Sequence, residues 1–281
     1  MRIELDAAAA RHPAARAGLP PALRALSLRI TAGEQVAVIG PSGAGKTTLL
    51  ELLACALPPC AGALRLDGQL PWQLPGRALQ RLRGRLFLAP QVPPLPPRQR
   101  VVATVLAARL PAMGLLRSLA TLLHPRDLQP VHDALARFDL ADKLFERVDR
   151  LSGGERQRVG LVRALLAPAS LWLIDEPLSA LDPTRARQAL ATLVDGARER
   201  GVTLVATLHQ VDMALAHFPR VLGLREGELV FDLPAAQVGR ERLARLYAQH
   251  EHELLGAPAV PAAEALAMAA PAPVRPLAQS C

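Results

Sequence analysis

One octapeptide constrains this chain more than any other stretch: GPSGAGKT, residues 40–47. It stands between the apolar run EQVAVIG (34–40), which reads as a buried strand, and KTTLLELLACAL (46–57), which reads as a helix. A G-x-x-x-x-G-K-[ST] loop in that setting folds its backbone N–H groups into a nest for phosphate oxygens. The start of the following helix adds a favourable dipole. Gly40, Pro41, Ser42, Gly43, Ala44, Gly45, Lys46, Thr47 and Thr48 are therefore the expected nucleotide-binding residues. Lys46 is placed to reach the β- and γ-phosphates, and Thr47 to offer its hydroxyl to Mg²⁺. A chance match in average composition turns up in roughly one chain in a hundred, and the strand–loop–helix setting makes it rarer.

The rest of the chain fits an α/β layout around that loop. LWLID (171–175) and VTLVATLH (202–209) are further β-like runs with helical segments between them, which implies a mostly parallel sheet. Residues 1–34 form a short β-rich lead-in, with RALSLRI alternating toward Ile30. Residues 92–150 carry helical patterns broken by Pro and Gly, such as RQRVVATVLAARL and VHDALARFDLADKLF, and are expected to form a helical insertion between two parts of the sheet. LQRLRGRLF (79–87) reads as a solvated, Arg-rich helix face. From Gly256 the chain is Ala/Pro-rich without a period, so 256–281 is expected to be a disordered tail.

Composition bounds the function without choosing it. A chain of 281 residues holds one large domain or two modest ones. With 51% hydrophobic but only 3% aromatic residues, its core must be built from Leu, Ala and Val. The net charge of +8 suits an Arg-rich soluble surface, an anionic lipid surface, nucleic acid or a phosphate-bearing ligand. Cys55, Cys60 and Cys281 show no metal-ligand spacing, which fits free thiols in a reducing compartment. The N-terminus MRIELDAAAARHP lacks the pattern of a secretory signal. No run of about 18 uncharged apolar residues occurs, so any membrane role is expected to be peripheral.

Two further stretches carry chemistry. In LWLIDEP, Asp175 ends an apolar strand at its C-terminal edge, where α/β sheets bind ligands. It is the expected Mg²⁺ partner, and Glu176 beside it is placed to polarise a water for attack on the γ-phosphate. Adjacent carboxylates also flank ordinary turns, so the pair gains weight from the phosphate loop. In LSGGERQR (151–158), Ser152 and Glu155 read as a capping box, yet Gly153 and Gly154 occupy the first turn, where each disfavours a helix. Either the glycines admit a closely packed neighbour, or the helix start is a second anion site. In the second case Ser152, Gly153 and Gly154 would meet the γ-phosphate of a nucleotide held by another subunit, across a two-fold axis.

GPSGAGKT, LSGGERQRV, LIDEP, SALD and TLHQ occur in the order seen in ABC-transporter ATP-binding subunits, and the chain resembles that family over roughly residues 20–250. The resemblance implies a nucleotide-binding domain over 1–255 with a helical subdomain at about 92–165, inside a P-loop core with an N-terminal antiparallel β part. It implies that Gln91, in APQ, senses Mg²⁺ and contacts the membrane partner. It further implies that Asp182 links the two sites of a dimer and that His209 is the switch histidine near the γ-phosphate. Thr47, Gln91 and Asp175 become the metal set, and Glu176, His209 and Gln91 the catalytic one. His12, before Pro13, stands where the family often places an aromatic that stacks on adenine; an ordinary surface histidine is the alternative.

The flanking text VTLVATLHQVDMALAHFPRVLGLREGELVFD, with RERLARLY and LLRSLATLLHPRD, is similar to the ATP-binding subunit of phosphonate importers. That implies ATP and Mg²⁺ as cofactors, and integral-membrane permease subunits and a second copy of the chain as partners. A periplasmic solute-binding protein would act indirectly, nucleic acid would have no part, and the chain would sit on the cytoplasmic face of the inner membrane. A transporter for another solute, a soluble ABC ATPase acting on nucleic acid or ribosomes, and an unrelated P-loop kinase are the competing readings. LSGGERQR speaks against the kinase. One nucleotide module without sustained heptads speaks against the soluble ATPase.

Overall fold

The structure, a computed structural model, describes residues 1–12, 20–123 and 128–248. The chain runs β1 (Ile3–Ala10), β2 (Leu23–Ile30), β3 (Gln35–Ile39), α1 (Lys46–Leu53), β4 (Ala61–Leu66), α2 (Gly76–Arg83) and β5 (Leu86–Ala89). Four helices follow, α3 (Val101–Leu106), α4 (Leu115–Leu123), α5 (Gln129–Ala136) and α6 (Gly153–Leu166). The chain then returns to the sheet with β6 (Leu171–Asp175), α7 (Pro183–Glu199), β7 (Thr203–Thr207), α8 (Val211–His217), β8 (Arg220–Arg225), β9 (Glu228–Pro234) and α9 (Arg240–Leu246).

Two sheets form. An antiparallel one has the order β2-β1-β4, as the N-terminal lead-in implies. The main sheet has the order β5-β6-β7-β3-β8-β9, parallel except for β9. Its central strands are apolar without interruption because both faces are covered. Alternate side chains enter different cores: Ala37, Ile39, Trp172 and Ile174 pack beneath α3, α5, α6 and α7, while Val36, Val38, Leu171 and Leu173 pack toward α1 and the antiparallel sheet. These residues are fully buried, and each large apolar side chain so placed contributes about 1.5–3 kcal/mol. The two sheets thereby clamp β3 and α1, which carry the phosphate loop between them.

Two sequence expectations need adjustment. Helix α1 ends at Leu53 rather than running to Leu57. Cys55 takes a left-handed φ of 54°, and its carbonyl accepts a bond from Arg83 Nη2 at 2.7 Å. LQRLRGRLF is not one solvated helix: α2 stops at Arg83, and Leu86–Ala89 form the edge strand of the main sheet, half-buried against β6. LLRSLATLLHPRD forms α4 as far as Leu123; its remainder and the expected tail 256–281 lie outside the described residues. Among the described residues Cys55 and Cys60 are free thiols, and no helix is long and apolar enough to cross a membrane.

Candidate active site

The phosphate loop is built where β3 meets β8 and the segment before β2. A Cβ on Gly40 would fall 1.9 Å from the carbonyl oxygen of Leu224, and one on Gly45, at φ +98°, 2.6 Å from that of Ala22. Only glycine fits at either place. Gly45 is also the N-cap of α1 and supplies no side-chain cap, so the helix start presents its backbone donors toward the loop. Lys46 is 5% exposed, and its Nζ donates to the carbonyls of Gly40 (2.7 Å) and Pro41 (3.2 Å). The ammonium is thereby held directly under the loop.

Strand order brings the acidic residues to the same edge. Strand β7 lies between β3 and β6, so its last residue, Thr207, sits between the loop and Asp175. Thr207 Oγ1 donates to Asp175 Oδ1 at 2.6 Å and accepts from the Glu176 N–H at 3.0 Å. Thr47 Oγ1 donates to Asp175 Oδ2 at 2.8 Å. Asp175 is 5% exposed and both its oxygens are engaged. Sequence reasoning missed Thr207; its signal is a hydroxyl at the C-terminal end of the strand Thr203–Thr207, after the apolar Leu204, Val205 and Ala206. Among the described residues no cluster of three or more His, Cys, Asp or Glu side chains gathers as a metal site. A carboxylate with one hydroxyl nevertheless suits Mg²⁺, which takes few protein ligands and fills its shell with phosphate oxygens and water.

Glu176 points into the same space and is gripped from two sides. Gln91 Nε2 donates to its Oε2 at 2.8 Å, and His209 Nε2 lies 2.5 Å from its Oε1. Burial works against ionisation here, but the bond and charge of His209 and the charge of Lys46 outweigh it, and the carboxyl is held below its ordinary range. His209 reaches this place because Leu208 N–H still bonds Val38 O, at 3.0 Å, before the chain turns away from the sheet. Gln91 follows the edge strand β5 and meets Glu176 rather than the Thr47–Asp175 pair expected of a metal ligand.

The helix start at LSGGE forms the expected capping box. Ser152 Oγ accepts from Glu155 N–H at 3.2 Å, and Glu155 Oε2 accepts from Ser152 N–H at 2.7 Å. The two glycines separate. A Cβ on Gly154 would stand 3.0 Å from the Ala180 carbonyl oxygen and 3.2 Å from Leu181 Cδ2, whereas one on Gly153 would meet nothing within 4 Å. Close packing thus accounts for Gly154 and leaves Gly153 unexplained by the chain itself. Asp182, in the loop that Gly154 touches, caps α7 by accepting from Thr184 N–H (3.2 Å) and Arg185 N–H (3.0 Å). His12 lies against the helix that follows the loop: its Nε2 is 3.9 Å from Glu51 Oε2, on α1 one turn beyond Thr47. The one tyrosine, Tyr247, is buried in the main hydrophobic core.

The pattern described as ABC transporter matches residues 23–179. The chain is 67% identical over 256 residues to the phosphonates import ATP-binding protein PhnC of a Polaromonas species, covering 91% of this chain and 92% of the relative. It is 65% identical to a protein of the same description from Albidiferax ferrireducens, with the same coverage. A third, from Pseudomonas syringae pv. syringae, is 58% identical over 82% of this chain and 87% of its own. Among solved structures, the chain is similar to a dimeric post-hydrolysis state of an ATP-binding cassette bound to ADP and Pi. The TM-score is 0.69 at 25% identity, over 83% of this chain and 98% of that one. It also resembles a bacterial Atm1-family ABC exporter with ATP bound, with a TM-score of 0.71 at 26% identity, over 91% of this chain and 42% of that one.

Proposed function

This chain belongs to the ABC transporter family, and we propose that it is the ATP-hydrolysing subunit that energises a membrane importer of phosphonate or a related oxyanion. The observation that carries the solute class is the likeness to three proteins named for phosphonates import, at 58–67% identity over at least 82% of this chain. The hydrolytic half rests on the convergence of Lys46, Thr47, Asp175 and Glu176 at one edge of the sheet.

In this reading Lys46 exchanges its loop carbonyls for the β- and γ-phosphate oxygens of ATP, and the loop N–H groups hold the remaining oxygens. Thr47 and Asp175, with Gln91, would hold Mg²⁺, which would supply positive charge to offset that of the phosphates. Glu176 accepts a proton from the water that attacks the γ-phosphorus as the bond to ADP breaks. The amide of Gln91 and the imidazole of His209 keep its carboxylate ionised and aimed. Ser152 and Gly153, with Glu155 fixing the cap, face the nucleotide of a second copy, and Asp182 bridges toward it. His12 stacks on the adenine.

The remaining partners are integral-membrane permease subunits, reached on the cytoplasmic face, and a periplasmic solute-binding protein acting through them. Nucleic acid is not a partner. The test is growth of a strain lacking this gene, and no other phosphonate importer, on a phosphonate as sole phosphorus source. Growth is expected to fail there and continue on phosphate. Unchanged growth on several phosphonates would overturn the solute assignment. Loss of hydrolysis-driven uptake for a different solute would leave the ATPase role and replace the cargo.

A further inference from the structure

The loop that carries Gln91 does not hang free. It continues as VPPLPP (92–97), and Pro93 seats its ring on α6: a Cβ on Gly160 would lie 2.7 Å from Pro93 Cγ and 3.0 Å from its Cβ. One turn earlier, on the same face of the helix, Gln157 is 4% exposed and donates Nε2 to the main-chain oxygen of Glu176 at 3.5 Å. Gln91 itself donates to the Glu176 side chain at 2.8 Å. These contacts close a ring from Gln157 through Glu176, Gln91 and Pro93 back to Gly160. The far end of the proline segment is pinned as well. Asp149 N–H donates to Pro97 O at 2.9 Å and Val148 N–H to Gln99 O at 3.0 Å, just ahead of Ser152. Proline fixes φ at four of the six positions after Gln91, so the segment has little freedom to absorb a displacement.

We propose that Gly160, acting through Pro93, and Gln157 are positioning residues that make α6 set the placement of Gln91 against Glu176. The start of α6 is the Ser152–Gly154 turn. A shift of the helix at that end therefore reaches the glutamine through Pro93 and the main chain of the glutamate through Gln157, by two different contacts, and changes how the two side chains meet. A nucleotide met by the start of α6 would thus bear on the general base of the same chain, linking the two sites of a dimer. This rests on the roles given above to Glu176 and to the start of α6.

The experiment uses the assembled transporter. Wild-type hydrolysis comes first, and its absence would count against the proposed function rather than against the ring. Gly160→Ala crowds Pro93, so a merely structural role for Gly160 predicts a lower melting temperature from overpacking with the kcat of the folded protein unchanged. The proposal predicts a change in turnover itself: kcat lower by roughly 10- to 100-fold, the scale of an ångström misplacement, with KM for ATP within about twofold. Adding Pro93→Ala removes the clashing Cγ and is expected to raise kcat again, to the level of Pro93→Ala alone. If Gly160→Ala fails to fold, Gln157→Met decides, because it keeps length and loses the donor. It is expected to lower kcat by roughly two- to tenfold at unchanged KM. Wild-type kcat in Gly160→Ala, no recovery in the double variant, or a Gln157→Met effect confined to KM would each overturn the proposal.

Discussion

Gly153→Asp separates the two explanations for the glycine pair at the start of α6. Gly153 is the first residue of the helix, and a side chain there would meet nothing within 4 Å. An acidic group in a first turn interacts favourably with the helix dipole by about 0.3–1 kcal/mol. Replacing Gly adds a part of the roughly 1 kcal/mol that separates it from a better helix former. At about 2–4 °C per kcal/mol for a chain near this size, the melting temperature is expected to stay level or rise by a few degrees. The same carboxylate would stand against a γ-phosphate on the partner. At about 4 Å and an effective dielectric near 20, one pair of like charges repels by about 4 kcal/mol, which is nearly a thousandfold in the equilibrium for closing the dimer. The stability and the activity are therefore expected to move in opposite directions.

Calorimetry of the isolated subunit and ATP turnover of the assembled transporter read the two effects. ATP affinity of the monomer is expected to hold, since Lys46 and its loop are untouched. Gly154 serves as the contrast. Its Cβ would press on the Ala180 carbonyl at 3.0 Å, and overpacking of that kind costs about 1–3 kcal/mol, so Gly154→Ala is expected to lower the melting temperature. A Gly153→Asp protein that melts no lower than wild type and hydrolyses ATP at the wild-type rate would refute the assignment of this turn to a partner's nucleotide.

Glu176→Gln should keep ATP binding while lowering turnover by about 10²–10⁴-fold, with the closed ATP-bound dimer accumulating on a sizing column; near-normal turnover removes the general base from this position. Thr207→Val strips a bond from each carboxylate segment and leaves Asp175 Oδ1 short of a partner. A destabilisation of about 1–3 kcal/mol is expected by denaturant titration, with Thr207→Ser restoring most of it. The depressed pKa of Glu176 gives a pH sign. Its contribution to stability is present above the unfolded value and is lost as pH falls through the folded one. The acid limb of kcat/KM that depends on this residue is accordingly expected below the ordinary 4.5, and a limb centred above about 6, absent from Glu176→Gln, would contradict that.

What could be read before folding was what is local. The strand–loop–helix around Lys46, the carboxylates ending β6 and the capping box at Ser152 each depend on residues a few positions apart, and each is where the pattern put it. The edge strand Leu86–Ala89 was hidden because Arg83-Gly84-Arg85 carries the polar signature of α2 into it, and a half-buried edge lacks the apolar run of a central strand. The early end of α1 is set from afar, by Arg83 reaching the Cys55 carbonyl, against a sequence that favours more helix. The difference between Gly153 and Gly154 is likewise invisible in the text. It exists only because the Ala180–Leu181 loop arrives from 26 residues downstream of Gly154 and touches one of them.

Glu176 shows why the least legible contacts gather at the site. Its φ of +45° lies in the left-handed region, which is strained for a residue with a side chain by about 1–3 kcal/mol. Such a conformation persists only where the surroundings over-determine it. Here Thr207 Oγ1 takes its N–H, Gln157 reaches its carbonyl, and Gln91 and His209 hold its two carboxylate oxygens. Those four partners come from β7, α6, the loop after β5 and the turn after β7. None lies within 15 residues of Glu176 in the chain, so no local pattern could announce them. Relaxing the backbone would swing the carboxylate off the line between Gln91 and His209, and the strain is what aims it. Because the four partners act on one residue, their removal should not be additive: loss of the Gln157 and Gln91 contacts together is expected to exceed the sum of the separate losses in turnover, since either alone still leaves the conformation held.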